Sequence, residues 1–236
     1  MDWLLDLHTH TVASGHAYST LKENVEAARE KGLKVLGMSE HGSAMPGSAH
    51  EYYFWIYGVI PDEIMGVRVL KGIEANIMDA RGTLDIPEHI YGCLDYVIAS
   101  MHLPCYSPGT VEQNTQAFLH VMDNPHVRIL GHINDGTYPV DLEAIIQRAK
   151  ARGVLIELNN ATLLQGSIRK NGVEIVKKML ELCKAYRVPM IVGSDAHIHT
   201  CVGNFKAAQA LMEEVQFPEE LVVNGDLCMF EKYIRL

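Results

Sequence analysis

The chain has 236 residues, 48% of them hydrophobic and 21% charged, with 9 prolines and a formal net charge of −9. These values suit one compact domain over residues 1–236 and exclude a disordered, repetitive or low-complexity chain. The acidic balance, with no basic cluster longer than Arg169-Lys170 or Lys177-Lys178, argues against nucleic acid and anionic membrane as partners.

The five cysteines are scattered and include no C-x-x-C, so they read as reduced thiols of a cytosolic protein. Asp2 and Asp6 occupy the start of the chain, where a signal peptide would carry basic residues. No uncharged apolar run reaches the roughly 18 residues of a membrane helix. A cytoplasmic location is expected.

In chain order, Met1 to His10 reads as a strand with His8 and His10 on one face at its carboxyl end, because strand side chains alternate with period two. Thr20-x-x-Glu23 is a capping box opening a helix over 21–31, which Gly32 ends, and Leu33 to Ser39 is the second strand, with His41 just past it. The aromatic-rich stretch from Pro46 to Pro61 reads as irregular, either a loop with its own apolar cluster or a lid over substrate. Val67 to Ile73 is the third strand, ending in Glu74, and Asp95 to Ser100 is the fourth, ending near His102.

Thr110-x-x-Gln113 caps a helix carrying Phe118 and Met122, and Val127 to Leu130 leads to His132. Asp141 caps a helix with Leu142, Ile145, Ile146 and Ala149 on one face, ended by Gly153, before the sixth strand, Val154 to Leu158. Asn171-x-x-Glu174 opens a helix expected to bury Val173, Val176, Leu180 and Cys183. Val188 to Val192 then leads into Gly193-Ser194-Asp195-Ala196-His197. An amphipathic helix with Ala208, Leu211, Met212 and Val215 and a helical tail complete the chain.

Seven apolar strands separated by helices predict a parallel sheet buried on both faces, closed as a (β/α)7 barrel. A doubly wound open sheet is the alternative. In a barrel the carboxyl ends of the strands share one mouth, so His8, His10, His41, Glu74, His102, His132, Asp195 and His197 converge there. His16 lies in the first strand-to-helix loop at the same mouth. His50, His89, His120, His126 and His199 fall away from strand ends and read as surface or capping residues.

Leu7-His8-Thr9-His10-Thr11, Ser39-Glu40-His41-Gly42, Gly72-Ile73-Glu74-Ala75-Asn76, Ser100-Met101-His102, Gly131-His132 and Gly193-Ser194-Asp195-Ala196-His197 resemble, in order, the motifs of the PHP (polymerase and histidinol phosphatase) superfamily. The closer likeness is to its small, single-domain bacterial phosphatases that hold three zinc ions. The resemblance implies a distorted (β/α)7 TIM-like barrel with its metal site at the carboxyl ends of the strands. It also implies that His8, His10, Glu74 and Asp195 hold one ion, that Glu74, His102 and His132 hold a second with Glu74 bridging, and that His16, His41 and His197 hold a third.

Such a nitrogen and oxygen donor set without thiolate suits zinc, and manganese or iron accept it as well. A bridged pair of ions implies a bridging hydroxide as nucleophile, with Glu74 and Asp195 around it, attacking a small soluble phosphate ester in line with the leaving oxygen. Asp195 or metal-bound water would protonate the leaving group. Arg169 and Lys170 follow the sixth strand and would reach a substrate phosphate, unless they are a solvated loop pair. Asn159 and Asn160 would support the ligands or cap a helix.

Two other classes compete with the phosphatase expectation. An amidohydrolase-type enzyme would also use His-x-His on a first strand but commonly bridges its metals with a carboxylated lysine, and Lys71 is badly placed for that. A non-catalytic metal-binding or regulatory domain would be marked by lost ligands, and none is lost here. A proofreading exonuclease is disfavoured by the acidic charge and by the lack of a polymerase region.

Overall fold

A computed structural model of the protein describes residues 3–167 and 169–234. Its strands are Leu5–Asp6 (β1), Val35–His41 (β2), Glu63–Ile64 (β3), Val67–Asn76 (β4), Tyr96–Ser100 (β5), Val127–Leu130 (β6), Leu155–Asn159 (β7) and Met190–Gly193 (β8). Seven pair in parallel in the order β1-β2-β4-β5-β6-β7-β8, as the spacing of the apolar runs predicts. β3 is an addition, a two-residue strand in an antiparallel pair with β4 that is too short to leave a periodic signal. Met1 and Asp2, included in the expected first strand, lie outside the described residues.

The sheet curls until β1 and β8 approach, but little ladder closes it. Thr9 and Ala196 form an isolated parallel bridge, with His10 N donating to Ala196 O over 2.9 Å. Side chains supply the remaining closure. Asp6 accepts from the Ser194 and Gly203 amides at 3.1 and 2.8 Å, and Asn224 bonds Leu5 O and both backbone groups of Val192. Burial pushes the Asp6 carboxyl up from its ordinary pKa, against these hydrogen bonds.

Strand alternation divides the apolar residues into two clusters. Leu36, Met38, Val69, Val97 and Ile156 point outward into the layer under the helices. Val35, Leu70, Tyr96, Ile98, Leu155 and Ile191 fill the barrel interior, and Val223, Phe230 and Ile234 cover its amino-end floor.

The helices are Leu21–Glu30 (α1), Glu51–Trp55 (α2), Val111–Val121 (α3), Leu142–Arg152 (α4), Gly172–Tyr186 (α5), Lys206–Glu214 (α6) and Leu227–Tyr233 (α7). Both expected capping boxes form, at Thr20 with Glu23 and at Thr110 with Gln113. Asn171 differs. Its backbone is left-handed, with φ of 51°, and its side chain makes no cap bond. α5 buries Val176, Met179, Leu180 and Cys183, whereas Val173, in its first turn, is exposed. The stretch 46–61 is less irregular than expected, because His50 caps the short α2 and Phe54 and Tyr57 bury themselves beneath it. All five cysteines are free. Among the described residues, no helix is long and apolar enough to cross a membrane.

Candidate metal centre

The interior changes character along the strands. On β2 the residues facing inward with Val35 are Gly37, Ser39 and His41, and on β4 those facing inward with Leu70 are Gly72, Glu74 and Asn76. The parallel register sets His41 beside Glu74. His41 is thus the last residue of β2, where it was expected just past the strand, and Glu74 lies two residues before the end of β4, where it was expected at the end. His102 and His132 lie two residues past β5 and β6, and Asp195 lies two past β8. His132 and Asp195 have positive φ, 28° and 55°, backbone strain that turns their side chains into the mouth.

The candidate ligands converge on Glu74, which is fully buried. Its Oε2 lies 2.8 Å from His41 Nδ1, 3.3 Å from His8 Nε2 and 3.5 Å from His10 Nε2, and its Oε1 lies 2.9 Å from His132 Nε2 and 3.3 Å from His102 Nε2. Asp195 Oδ1 faces His10 Nε2 at 3.3 Å, His197 Nδ1 at 3.5 Å and His8 Nε2 at 3.6 Å. The exposed His16 reaches His41, Nε2 to Nε2, at 3.2 Å. Three groups of donors are close enough to share an ion: His8, His10 and Glu74; His41, Glu74 and His102; and His10, His41 and His197. His41 thus faces Glu74 through Nδ1 and His16 through Nε2, a double role that the implied sets did not contain.

Four of these atoms, His8 Nε2, His10 Nε2, His41 Nδ1 and Glu74 Oε2, are buried and, although the three nitrogens face that oxygen at 2.8–3.5 Å, make no hydrogen bond of good geometry. An unpartnered buried polar atom costs about 1–3 kcal/mol. Here the four sit together, in a set of imidazole and carboxylate donors that fits divalent cations.

Other residues orient the ring nitrogens that face away. Glu157 Oε1 meets His8 Nδ1 at 2.6 Å, Asn76 Oδ1 meets His102 Nδ1 at 2.7 Å, and Ser14 Oγ meets His10 Nδ1 at 3.1 Å while donating to the buried Glu40 over 2.6 Å. Such partners fix the tautomer of a ligand imidazole. Only glycine fits at 193: a Cβ there would collide with Glu157 Oε1 and come within 2.8 Å of His8 Cβ. Glu157, Ser14 and the supporting roles of Glu40 and Asn76 escape sequence reasoning. The available signal was a lone acid in the apolar run Val154 to Leu158, which must find a partner when buried.

Burial opposes a charge on His8, yet the Glu157, Glu74 and Asp195 carboxylates outweigh it and raise its pKa well above the usual imidazole range. His10 shifts the other way, pushed well down by burial and by its neighbour His41. Burial also works against ionised Glu74 and Asp195. His8, His102 and His41 overcome it at Glu74, and His8 and Arg169 at Asp195, so both carboxyls stay well below their ordinary range.

A cavity of about 560 Å³ opens above these residues, of a size suited to a small molecule. Arg169 lines it, with Nη2 donating to Asp195 Oδ2 over 3.0 Å, whereas Lys170 is exposed and outside the lining. Asn159 donates to Asp195 Oδ2 at 3.1 Å and accepts from Thr162 N at 3.1 Å, and Asn160 accepts from Ala208 N in the first turn of α6. Of the stretch 46–61 only Pro46 lines the cavity, so the aromatics form a cluster of their own. His50 caps α2, and His89, His120, His126 and His199 contact Trp55, Ala80 O, Tyr91 and Ser19 respectively. Lys71 pairs with Asp62.

The model of the PHP domain matches residues 6–215. A "probable phosphatase" of Clostridium novyi is 49% identical over 96% of this chain and 92% of its own, and one of Clostridium acetobutylicum is 46% identical over 100% and 96%. The crystal structure of histidinol phosphate phosphatase from Lactococcus lactis, complexed with zinc, L-histidinol and phosphate, superposes with a TM-score of 0.58 at 17% identity. It covers 91% of this chain and 94% of that one, a likeness of fold. With a family match over nearly its whole length, the chain belongs to the PHP domain family.

Proposed function

We propose that this protein is a metal-dependent phosphatase that hydrolyses a small soluble phosphate ester at the cavity above Glu74. His8, His10, His16, His41, Glu74, His102, His132, Asp195 and His197 would hold up to three divalent ions, with zinc preferred for so many imidazoles. The observation that carries the reading is the cluster of four buried, unpartnered donor atoms around Glu74. The kinship to curated proteins named "probable phosphatase" supports the reaction class.

Bound divalent ions would supply Lewis-acid stabilisation of phosphoryl charge and acidify water. The chain's own residues do the rest. Glu74 offers both oxygens across the site, and Asp195 offers Oδ1 to it while Oδ2 accepts from Arg169 and Asn159. Arg169, pinned in the wall, presents a planar guanidinium suited to a phosphoryl oxygen.

Hydrolysis of p-nitrophenyl phosphate tests the reading. Purified protein should turn over this ester, lose activity after chelation and regain it with zinc. Turnover indifferent to chelation, or none in any metal, would overturn it.

A further inference from the structure

We infer that the cavity sorts phosphate monoesters by the charge of their leaving group, with Asp135 as the selecting residue: cationic and neutral alcohols are accepted, and a second anion is rejected. This rests on the phosphatase reading.

Above the candidate ligands the cavity walls are largely apolar, formed by Met45, Met101, Leu103, Tyr138 and Ala161 among others. Apart from the candidate ligands, the charged side chains lining it are Arg169 and Asp135. Arg169 is held at the candidate-ligand end of the cavity. Its Nη2 donates to Asp195 Oδ2 over 3.0 Å, and its Nη1 to Asn159 Oδ1 and Thr162 Oγ1 over 3.2 and 3.3 Å. Asp135 has no cationic side chain in an ion pair with it among the described residues. Among the described residues its Oδ1 accepts backbone amides, from Thr137 at 2.8 Å and Lys170 at 3.4 Å.

The carboxylate is held firmly. Gly136 N donates to Lys170 O over 2.9 Å, and a Cβ at Gly136 would come within 2.5 Å of that oxygen, so only glycine lets the two loops lock around Asp135. A fixed negative charge thus stands on a largely apolar wall, away from the histidines that would take the phosphoryl end of the substrate.

At a separation of about 6 Å and an effective dielectric of about 40, a unit charge on the leaving group changes binding about tenfold in either direction. A cationic leaving group should therefore exceed an anionic one of the same shape by about a hundredfold in kcat/KM.

The test compares 4-(aminomethyl)benzyl phosphate, benzyl phosphate and 4-carboxybenzyl phosphate on zinc-loaded protein, the methylene insulating the ester oxygen from the substituent. kcat/KM should fall in that order, and the ratio of the first to the last should collapse toward one in Asp135→Asn and invert in Asp135→Lys. A flat series with all three hydrolysed overturns the selection and leaves the phosphatase reading standing, whereas failure to hydrolyse any of them overturns both. An amine preference that persists in Asp135→Asn overturns the role of Asp135. If the variants do not fold, calorimetric binding of the matching benzylphosphonates to wild type reads the same preference. It should shrink with added salt, and equal affinities would overturn the inference.

Discussion

The two ends of the barrel are made by the same strands and obey opposite rules. At the amino end Val35, Leu70, Tyr96, Leu155 and Ile191 pack under Phe230 and Ile234, and the interior is held together by apolar burial. Two to six residues further along, the same inward positions carry His41, Glu74 and Glu157, buried as completely as the leucines, and His41 and Glu74 leave polar atoms without a hydrogen bond. The floor is therefore stable in itself, whereas the mouth holds the buried donors that a bound cation would satisfy. Stability and chemistry have been placed at separate ends, which lets each be broken alone.

The largest effect is expected from Glu74→Ala. It removes a carboxylate that faces five imidazoles, and the several kcal/mol of charge stabilisation lost should lower kcat by about a thousandfold or more, measured on p-nitrophenyl phosphate. The counterpart at the floor is Phe230→Ala. It should cost about 3–5 kcal/mol in urea unfolding, while the folded fraction keeps the wild-type kcat.

Chelation should destabilise wild type by about 2.7 kcal/mol relative to zinc at a hundredfold excess over its Kd, roughly 5–10 °C in Tm. Phe230→Ala should show the same zinc-dependent shift from a lower starting point. Glu157→Gln is the finest probe, because it neutralises the carboxylate behind His8 without removing a proposed ligand. Zinc affinity should fall about 10–100-fold by competition with a chromophoric chelator, with the zinc-free unfolding midpoint nearly unchanged.

Much of this division was legible in the sequence. The strand pattern was readable because apolar runs of parallel strands are continuous and the helices between them carry start and stop signals, as at Thr20, Asp141 and Gly153. Histidines and acids at strand ends announced the mouth, since hydrophobic periodicity has no other use for them there. The closure between β1 and β8 was not legible, because Asp6 and Asn224 close it with side chains over large separations in sequence. Glu157 was hidden for a different reason. It sits mid-strand, where period-two reasoning sees only an interruption, and its meaning depends on Gly193 leaving room for it to reach His8. Left-handed backbone at Asn171 likewise defeated the expected cap, as conformation and not composition decides whether an asparagine side chain can reach the helix start.

The most direct test of the division is elemental mass spectrometry of wild type and Glu74→Ala purified side by side from zinc-supplemented buffer. Close to three divalent ions per wild-type chain are predicted, with at least one lost in the variant. A wild-type chain that holds no stoichiometric metal, or a variant that holds as much as wild type, would contradict a mouth built around cations.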